Sequence, residues 1–277
     1  MIRECVFNNI EKETYSATKD FIVACEKNMV HEGDLLVCQQ NGSFWGDNPM
    51  IGLGDVLEYA LKLNRITAKG IQDYTQDDNY FKNNGNAFFD GTSEIEETVN
   101  REFSKYLNIW ENFYFLRVLT QLVHLLNGEH YDWDLDIVKA TNGGKNKSQY
   151  LEEKIIKKLG KAESFQKLIK EAYDRKIRNA IAHSQCVFAS GGFMLMNIPP
   201  HDGIQDGLSF EQWERKYVLS YQLLVYIKRA LEGMTRKYFS YTQFFNKPIP
   251  IIVPIHGEWE HRYLFPNSMG TTWRFLQ

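Results

Sequence analysis

Nine residues past the middle of the chain hold its most reactive grouping: Arg175-Lys176-Ile177-Arg178-Asn179-Ala180-Ile181-Ala182-His183. Histidine titrates near neutrality and serves as proton acceptor or donor. Arginine stays charged and offers a planar fork to phosphate oxygens. Together they suit cleavage of RNA by its own 2′-OH. That reaction needs a base for the hydroxyl, an acid for the leaving 5′-oxygen and positive charge at the crowded phosphate. Its dependence on the 2′-OH excludes DNA. One His and one Arg per chain is thin for both proton transfers, and a homodimer that joins two sets supplies the rest. With 11 Arg and 7 His in 277 residues, a bare Arg-x-x-x-x-His arises by chance about 0.28 times. Requiring Asn after the Arg, with 20 Asn in the chain, lowers this to about 0.02.

The elements that position these groups are helical. On a helix Asn179 and His183 are four apart and share a face. Arg178 and His183 are five apart, about 140° around the axis. They cooperate only if Arg178 reaches with its long side chain or the helix ends at His183. Ser184-Gln185 and a following hairpin make an end there. The motif helix belongs to a stretch from 148 to about 183, with a break at Gly160. Three more helices are predicted. One covers 8–30, with Ile10, Ala17, Phe21, Ala24 and Cys25 as its stripe. One runs from Ser93, in a capping-box pattern, to Asn127. One starts at Ser209-Phe210-Glu211-Gln212, a second capping box. Its seam is Phe210, Trp213, Tyr217, Ser220, Leu224, Ile227, Leu231, Met234 and Tyr238.

Between them, Leu35-Leu36-Val37-Cys38 reads as a strand. A short helix is expected near 54–66 and a surface loop at 73–92. Val187–Ile198 reads as a hairpin turning at Ser190-Gly191-Gly192, and Ile251-Ile252-Val253 as an edge strand flanked by prolines. The expected fold is mainly α, an up-and-down helical bundle with a small β-hairpin and a β-rich C-terminal extension. Residues 1–92 form a helical region packed on or part of the bundle, 93–240 the bundle and 241–277 the extension.

Arg178-Asn179-Ala180-Ile181-Ala182-His183 at a helix end, followed by a bundle helix, resembles the HEPN superfamily. The similarity covers 93–240 as a pattern and six residues as a motif. It implies a four-helix bundle that pairs about a two-fold axis, so that two Arg-x-x-x-x-His motifs share one cleft. It also implies a metal-independent endoribonuclease of toxin, abortive-infection or CRISPR type, with no cofactor. Arg178 and His183 would then be catalytic and Asn179 a polar supporter. RNA is the implied substrate, and an antitoxin or other protein a further partner. Some members that pair with nucleotidyltransferases carry a modified Tyr two positions after the His. Here that position is Gln185, which argues against such regulation.

Other groupings are weighed beside this one. Arg117, Gln121 and His124 form one polar stripe, either facing the motif across the bundle, with Arg117 and His124 touching RNA, or solvated. His256-Gly257-Glu258-Trp259-Glu260-His261 holds two His and two Glu, which is the basis of a third functional reading, a metal hydrolase with zinc or manganese, but it lacks the H-E-x-x-H spacing, and a surface strand or loop is the plainer reading. Gly143-Gly144-Lys145 lacks the spacing of a phosphate loop. Arg178 and His183 themselves have a bland reading, as a helix-end cation and a C-terminal cap. A non-catalytic module that binds RNA or protein is the second functional reading.

Composition bounds these readings. The formal charge of −3 speaks against a globally basic nucleic-acid binder, but it is unevenly spread. Residues 1–138 carry 11 basic and 23 acidic side chains, 139–185 carry 12 and 5, and 186–277 carry 9 and 7. The basic excess surrounds the motif, where a phosphate backbone would dock, and makes Arg175 and Lys176 candidate substrate contacts. The 39 aromatics imply a bulky core or stacking surfaces. Cys5, Cys25, Cys38 and Cys186 show no paired spacing, as in reduced cytoplasmic thiols. The most apolar stretch, Ile109–Leu126, contains Glu111, Arg117 and His124, so no membrane helix is expected.

Overall fold

The computed structural model of the chain describes residues 2–45, 48–51, 57, 75–76, 93–142, 146–189, 191–196, 207–266 and 273–275. In chain order these form β1 (Ile2–Arg3), α1 (Glu4–Asn28), α2 (Asp34–Gln40), β2 (Ser43–Trp45), β3 (Asn48–Met50) and β4 (Thr75–Gln76). Then come α3 (Ser93–Trp110), α4 (Phe113–Leu126), α5 (Ile137–Asn142), α6 (Lys147–Tyr150), α7 (Glu163–Ala172) and α8 (Arg175–Ala182). The last elements are β5 (Cys186–Ala189), β6 (Gly192–Leu195), β7 (Gly207–Ser209), α9 (Phe210–Phe245), β8 (Ile249–Ile255), β9 (Glu258–Pro266) and β10 (Trp273–Phe275). The helix expected near 54–66, the loop at 73–92 and Gly143-Gly144-Lys145 lie outside the described residues, save Leu57, Thr75 and Gln76. The protein is mainly helical, with small antiparallel sheets that include a three-stranded sheet at the C-terminal end. β1 and β4 pair in parallel over two residues. None of the four cysteines is in a disulfide. Among the described residues, no helix is long and apolar enough to cross a membrane.

The chain divides into two compact units. The first comprises 1–16, 61–111 and 167–224; the second comprises 17–60, 112–166 and 225–277.

The first unit is built on aromatic packing. Phe103 of α3 meets Trp213 of α9 edge-on at 4.8 Å and Phe193 of β6 at 5.0 Å. Trp213 stacks on Tyr217 one turn later. Polar ends of these rings are partnered, as burial requires. Trp213 Nε1 donates to Glu102 at 2.6 Å and Trp110 Nε1 to Ser220 Oγ at 2.9 Å. Ser220 is the one polar member of the predicted α9 seam, and this bond accounts for it. The capping box at the start of α9 is present. Ser209 N–H donates to Gln212 Oε1 and Gln212 N–H to Ser209 Oγ, so two orphan donors are satisfied reciprocally. β5, β6 and β7 form an antiparallel sheet in sequence order. Gly192 is required there, because a Cβ would come within 2.0 Å of the Leu208 carbonyl oxygen.

In the second unit, Phe21 of α1 stacks on Phe165 of α7 at 4.1 Å, and Cys25 Sγ donates to the Leu122 carbonyl at 3.3 Å. Residues 34–40 are a buried helix, not the expected strand. A short apolar run cannot distinguish the two by pattern, and here Asn41 closes a helix with φ 53° and its N–H on Val37 O. The continuous helix expected over 93–127 is two helices. Asn112 Oδ1 accepts from the N–H groups of Tyr114 and Phe115 and starts α4 anew, because an Asn side chain competes with the backbone for these donors. The stretch from 148 is likewise divided. α6 continues as a π-helical turn over Leu151–Ile155 and a 3-10 turn over Ile156–Lys158. Breaks follow around Gly160 and at Tyr173-Asp174. At the C-terminal end, β8 is the edge of the β10-β9-β8 sheet, where its Pro250 and Pro254 are tolerated.

Candidate functional site

The motif occupies α8 in the first unit, and the helix is defined at both ends. Asp174 caps its start, with Oδ1 accepting from Lys176 N–H at 2.8 Å and Ile177 N–H at 3.2 Å. Tyr106 of α3 braces the approach: its hydroxyl donates to Ala172 O at 3.2 Å and accepts from Asp174 N–H at 3.1 Å. Burial pushes the Tyr106 phenol well above its usual range, so this hydroxyl stays neutral. Ile177 and Ala180 are the buried face of α8.

The helix ends where the spacing argument requires. His183 is the C-cap residue. Ser184 follows at φ 55°, with its N–H on Ile181 O at 3.1 Å, while Gln185 N–H donates to Ala180 O at 2.7 Å. This pair of bonds is a Schellman closure with Ser in the left-handed position that usually holds Gly. The chain then enters β5, with Met196 N–H on Gln185 O at 2.8 Å. His183 is exposed.

Arg178 is held from two sides. Its Nη2 lies 2.5 Å from Glu111 Oε1, and its Nη1 donates to Asn179 Oδ1 at 2.9 Å. The side chains are 16% and 32% exposed for Arg178 and Glu111, so the ion pair is partly screened from water. Asn179 therefore engages Arg178 through its side chain and His183 through its backbone carbonyl, which accepts the His183 N–H at 3.0 Å. No hydrogen bond joins Arg178 to His183. Arg175 and Lys176 are exposed on the first turn. Glu111 is the residue the sequence did not disclose. It lies 67 positions upstream, and no local pattern links it to Arg178.

Arg117 and His124 belong to the second unit. The stripe they share with Gln121 is not a solvated face. Arg117 Nη2 donates to Gly42 O at 3.0 Å and Nη1 to Leu135 O. Gln121 is 1% exposed and exchanges two bonds with the Asp132 backbone. A segment of chain after α4 covers the stripe and uses it to satisfy its own backbone groups. His124 sits 3.7 Å from Glu129. Burial lowers its pKa, with Lys158 and Lys154 adding to the effect and Glu129 and Asp132 opposing it.

His256 and Gly257 are the two-residue turn between β8 and β9, both at positive φ, 52° and 83°, as a type I′ hairpin demands. Among the described residues, no group of three or more His, Cys, Asp or Glu is placed to hold a metal ion. No family model, curated protein or solved structure matches the chain.

Proposed function

We propose that the chain is a metal-independent endoribonuclease of HEPN type, acting through 2′-OH attack, in phage defence or as a toxin. The observation that supports this reading most is the form of α8. Its cation is held half-buried by Glu111 and Asn179, and its imidazole stands exposed at the helix end. Arg178 stabilises charge on the scissile phosphate, His183 moves the proton, and Asn179 holds the guanidinium plane. Arg175 and Lys176 guide the backbone. Two chains pair to supply an acid and a base. Val187 of β5 and Met196 just after β6, 51% and 52% exposed, give such pairing an apolar surface. The HEPN-like bundle is part of the same proposal.

Purified protein with RNA tests it. Cuts that persist in chelator, leave 2′,3′-cyclic phosphate and vanish in His183→Ala and Arg178→Ala are the expected result. Undiminished cutting by the His183 variant overturns the assignment.

One observation favours a second reading. Glu111 already neutralises Arg178, as in a helix that binds RNA or protein without cutting. Retention of RNA by the wild type with no cleavage under any condition selects that reading.

A further inference from the structure

In the second unit two histidines from distant parts of the chain meet at the surface. His31 lies in the turn between α1 and α2, and His130 in the connection after α4. His31 Nε2 is 3.0 Å from His130 Nδ1 in hydrogen-bonding geometry. The ring planes are 25° apart with centroids at 5.0 Å. The imidazoles therefore meet through their nitrogens and not face to face. Neither ring is sealed off, since His130 is exposed and His31 half-buried.

Both residues are held in place. The His31 N–H donates to Asp34 Oδ2 at 3.2 Å, and its carbonyl accepts the Asp34 N–H at 3.1 Å. Gly33 N–H ties the same turn to the sheet edge through Pro250 O at 3.1 Å. Trp259 of β9 stacks on His130 with centroids 4.7 Å apart. Burial lowers the His31 pKa, with His130 and His261 adding to the shift, so its ring is neutral at pH 7 and suited to a metal ion. In the neutral pair one contacting nitrogen carries a hydrogen and the other a lone pair. Moving that proton to the far nitrogen of its own ring, through water, gives both contacting nitrogens lone pairs. Bond lengths then decide what they hold. Nitrogens 3.0 Å apart subtend about 91–97° at a metal bonded to each at about 2.0–2.1 Å. A tetrahedral centre needs them about 3.3–3.4 Å apart. An angle near 90° belongs to the tetragonal centres of nickel(II) and copper(II), both of which take imidazole.

We propose that His31 and His130 form a two-imidazole site for a divalent transition metal of tetragonal geometry, nickel(II) or copper(II), with water in the remaining positions. The protein supplies two ligands only, in keeping with the absence, among the described residues, of any group of three or more placed to hold a metal ion. The metal clamps the α1–α2 turn to the connection after α4. The site lies in the unit that does not carry His183. It takes no part in the proposed RNA cleavage and stands or falls independently of that reading.

The test is calorimetric titration of the full chain with nickel(II) chloride at pH 7.5. Nickel is the probe because copper(II) oxidises thiols, and Cys5 is exposed. Saturation at one nickel per chain is expected, with a dissociation constant under about 0.1 mM. Magnesium chloride, a cation that prefers oxygen ligands, is expected not to saturate. His31→Gln and His130→Gln are each expected to weaken nickel binding at least about tenfold. His130 is exposed, so its variant guards against misfolding of the His31 variant. Failure of nickel to saturate below about 1 mM overturns the proposal. So does equal affinity for magnesium, or affinity retained in either variant, which marks an adventitious ion only.

Discussion

Arg178 Nη2 and Glu111 Oε1 lie 2.5 Å apart across 67 residues of chain, joining the end of α3 to the middle of α8. The bond sets where the guanidinium points and at the same time competes with any phosphate for it.

That competition is measurable. Glu111→Gln keeps an oxygen acceptor for Arg178 and removes the charge. RNA affinity is expected to rise, and the slope of log K against log salt to steepen by about 0.7 as one cation becomes available to phosphate. Stability is expected to fall by about 0.5–1.5 kcal/mol in denaturant titration. Identical salt slopes for variant and wild type would remove Arg178 from the phosphate-binding surface.

The closure of α8 rests on a serine in a glycine conformation, Ser184 at φ 55°. Ser184→Gly relieves the Cβ clash and is expected to stabilise by about 0.5–1 kcal/mol, raising Tm by about 1–3 °C. Ser184→Val is expected to destabilise. A lower Tm for the glycine variant in scanning calorimetry would show that the closure is not strained.

Asp34 is 1% exposed at the start of α2, with Oδ1 unpartnered and Oδ2 accepting the His31 N–H at 3.2 Å. Burial raises its carboxyl from 3.8 to about 7, with the His31 bond opposing. The folded state thus holds a proton that the unfolded chain releases. Its stabilising contribution is complete below pH 3.8 and is lost as pH rises through about 7. Asp34→Asn removes the buried charge. It is expected to stabilise at pH 8 by on the order of 2–4 kcal/mol and to be nearly neutral at pH 4. Denaturant midpoints at the two pH values decide it, and equal differences would show that the carboxyl does not titrate in this range.

His31 works with the opposite sign. Its Nε2 lies 3.0 Å from His130 Nδ1, and Trp259 stacks on His130 at 4.7 Å. Burial lowers the His31 pKa below 6.5, and His130 and His261 add to the shift. The contribution is therefore complete above pH 6.5 and is lost as pH falls below that value. His31→Gln is expected to flatten the acid limb of the stability curve below pH 6.5. Parallel curves for variant and wild type would place the acid sensitivity elsewhere.

The sequence alone determined those features that depend on neighbours along the chain. The α9 seam, its Ser209–Gln212 capping box, the β5–β6 hairpin, the proline-bearing edge of β8 and the end of α8 at His183 all arise from local periodicity and turn chemistry. These act over three or four residues and are written in one stretch. Tertiary structure decided the rest. Leu35–Cys38 became a helix because every side of α2 is buried, and burial on all sides erases the alternation that separates strand from helix. The stripe of Arg117, Gln121 and His124 was covered because a later segment needed partners for its backbone. Glu111 met Arg178 because side-chain packing brings α8 onto α3. Charge pairing across 67 residues leaves no period or spacing in the chain, since it is set by which helices pack together and not by the order in which they are written.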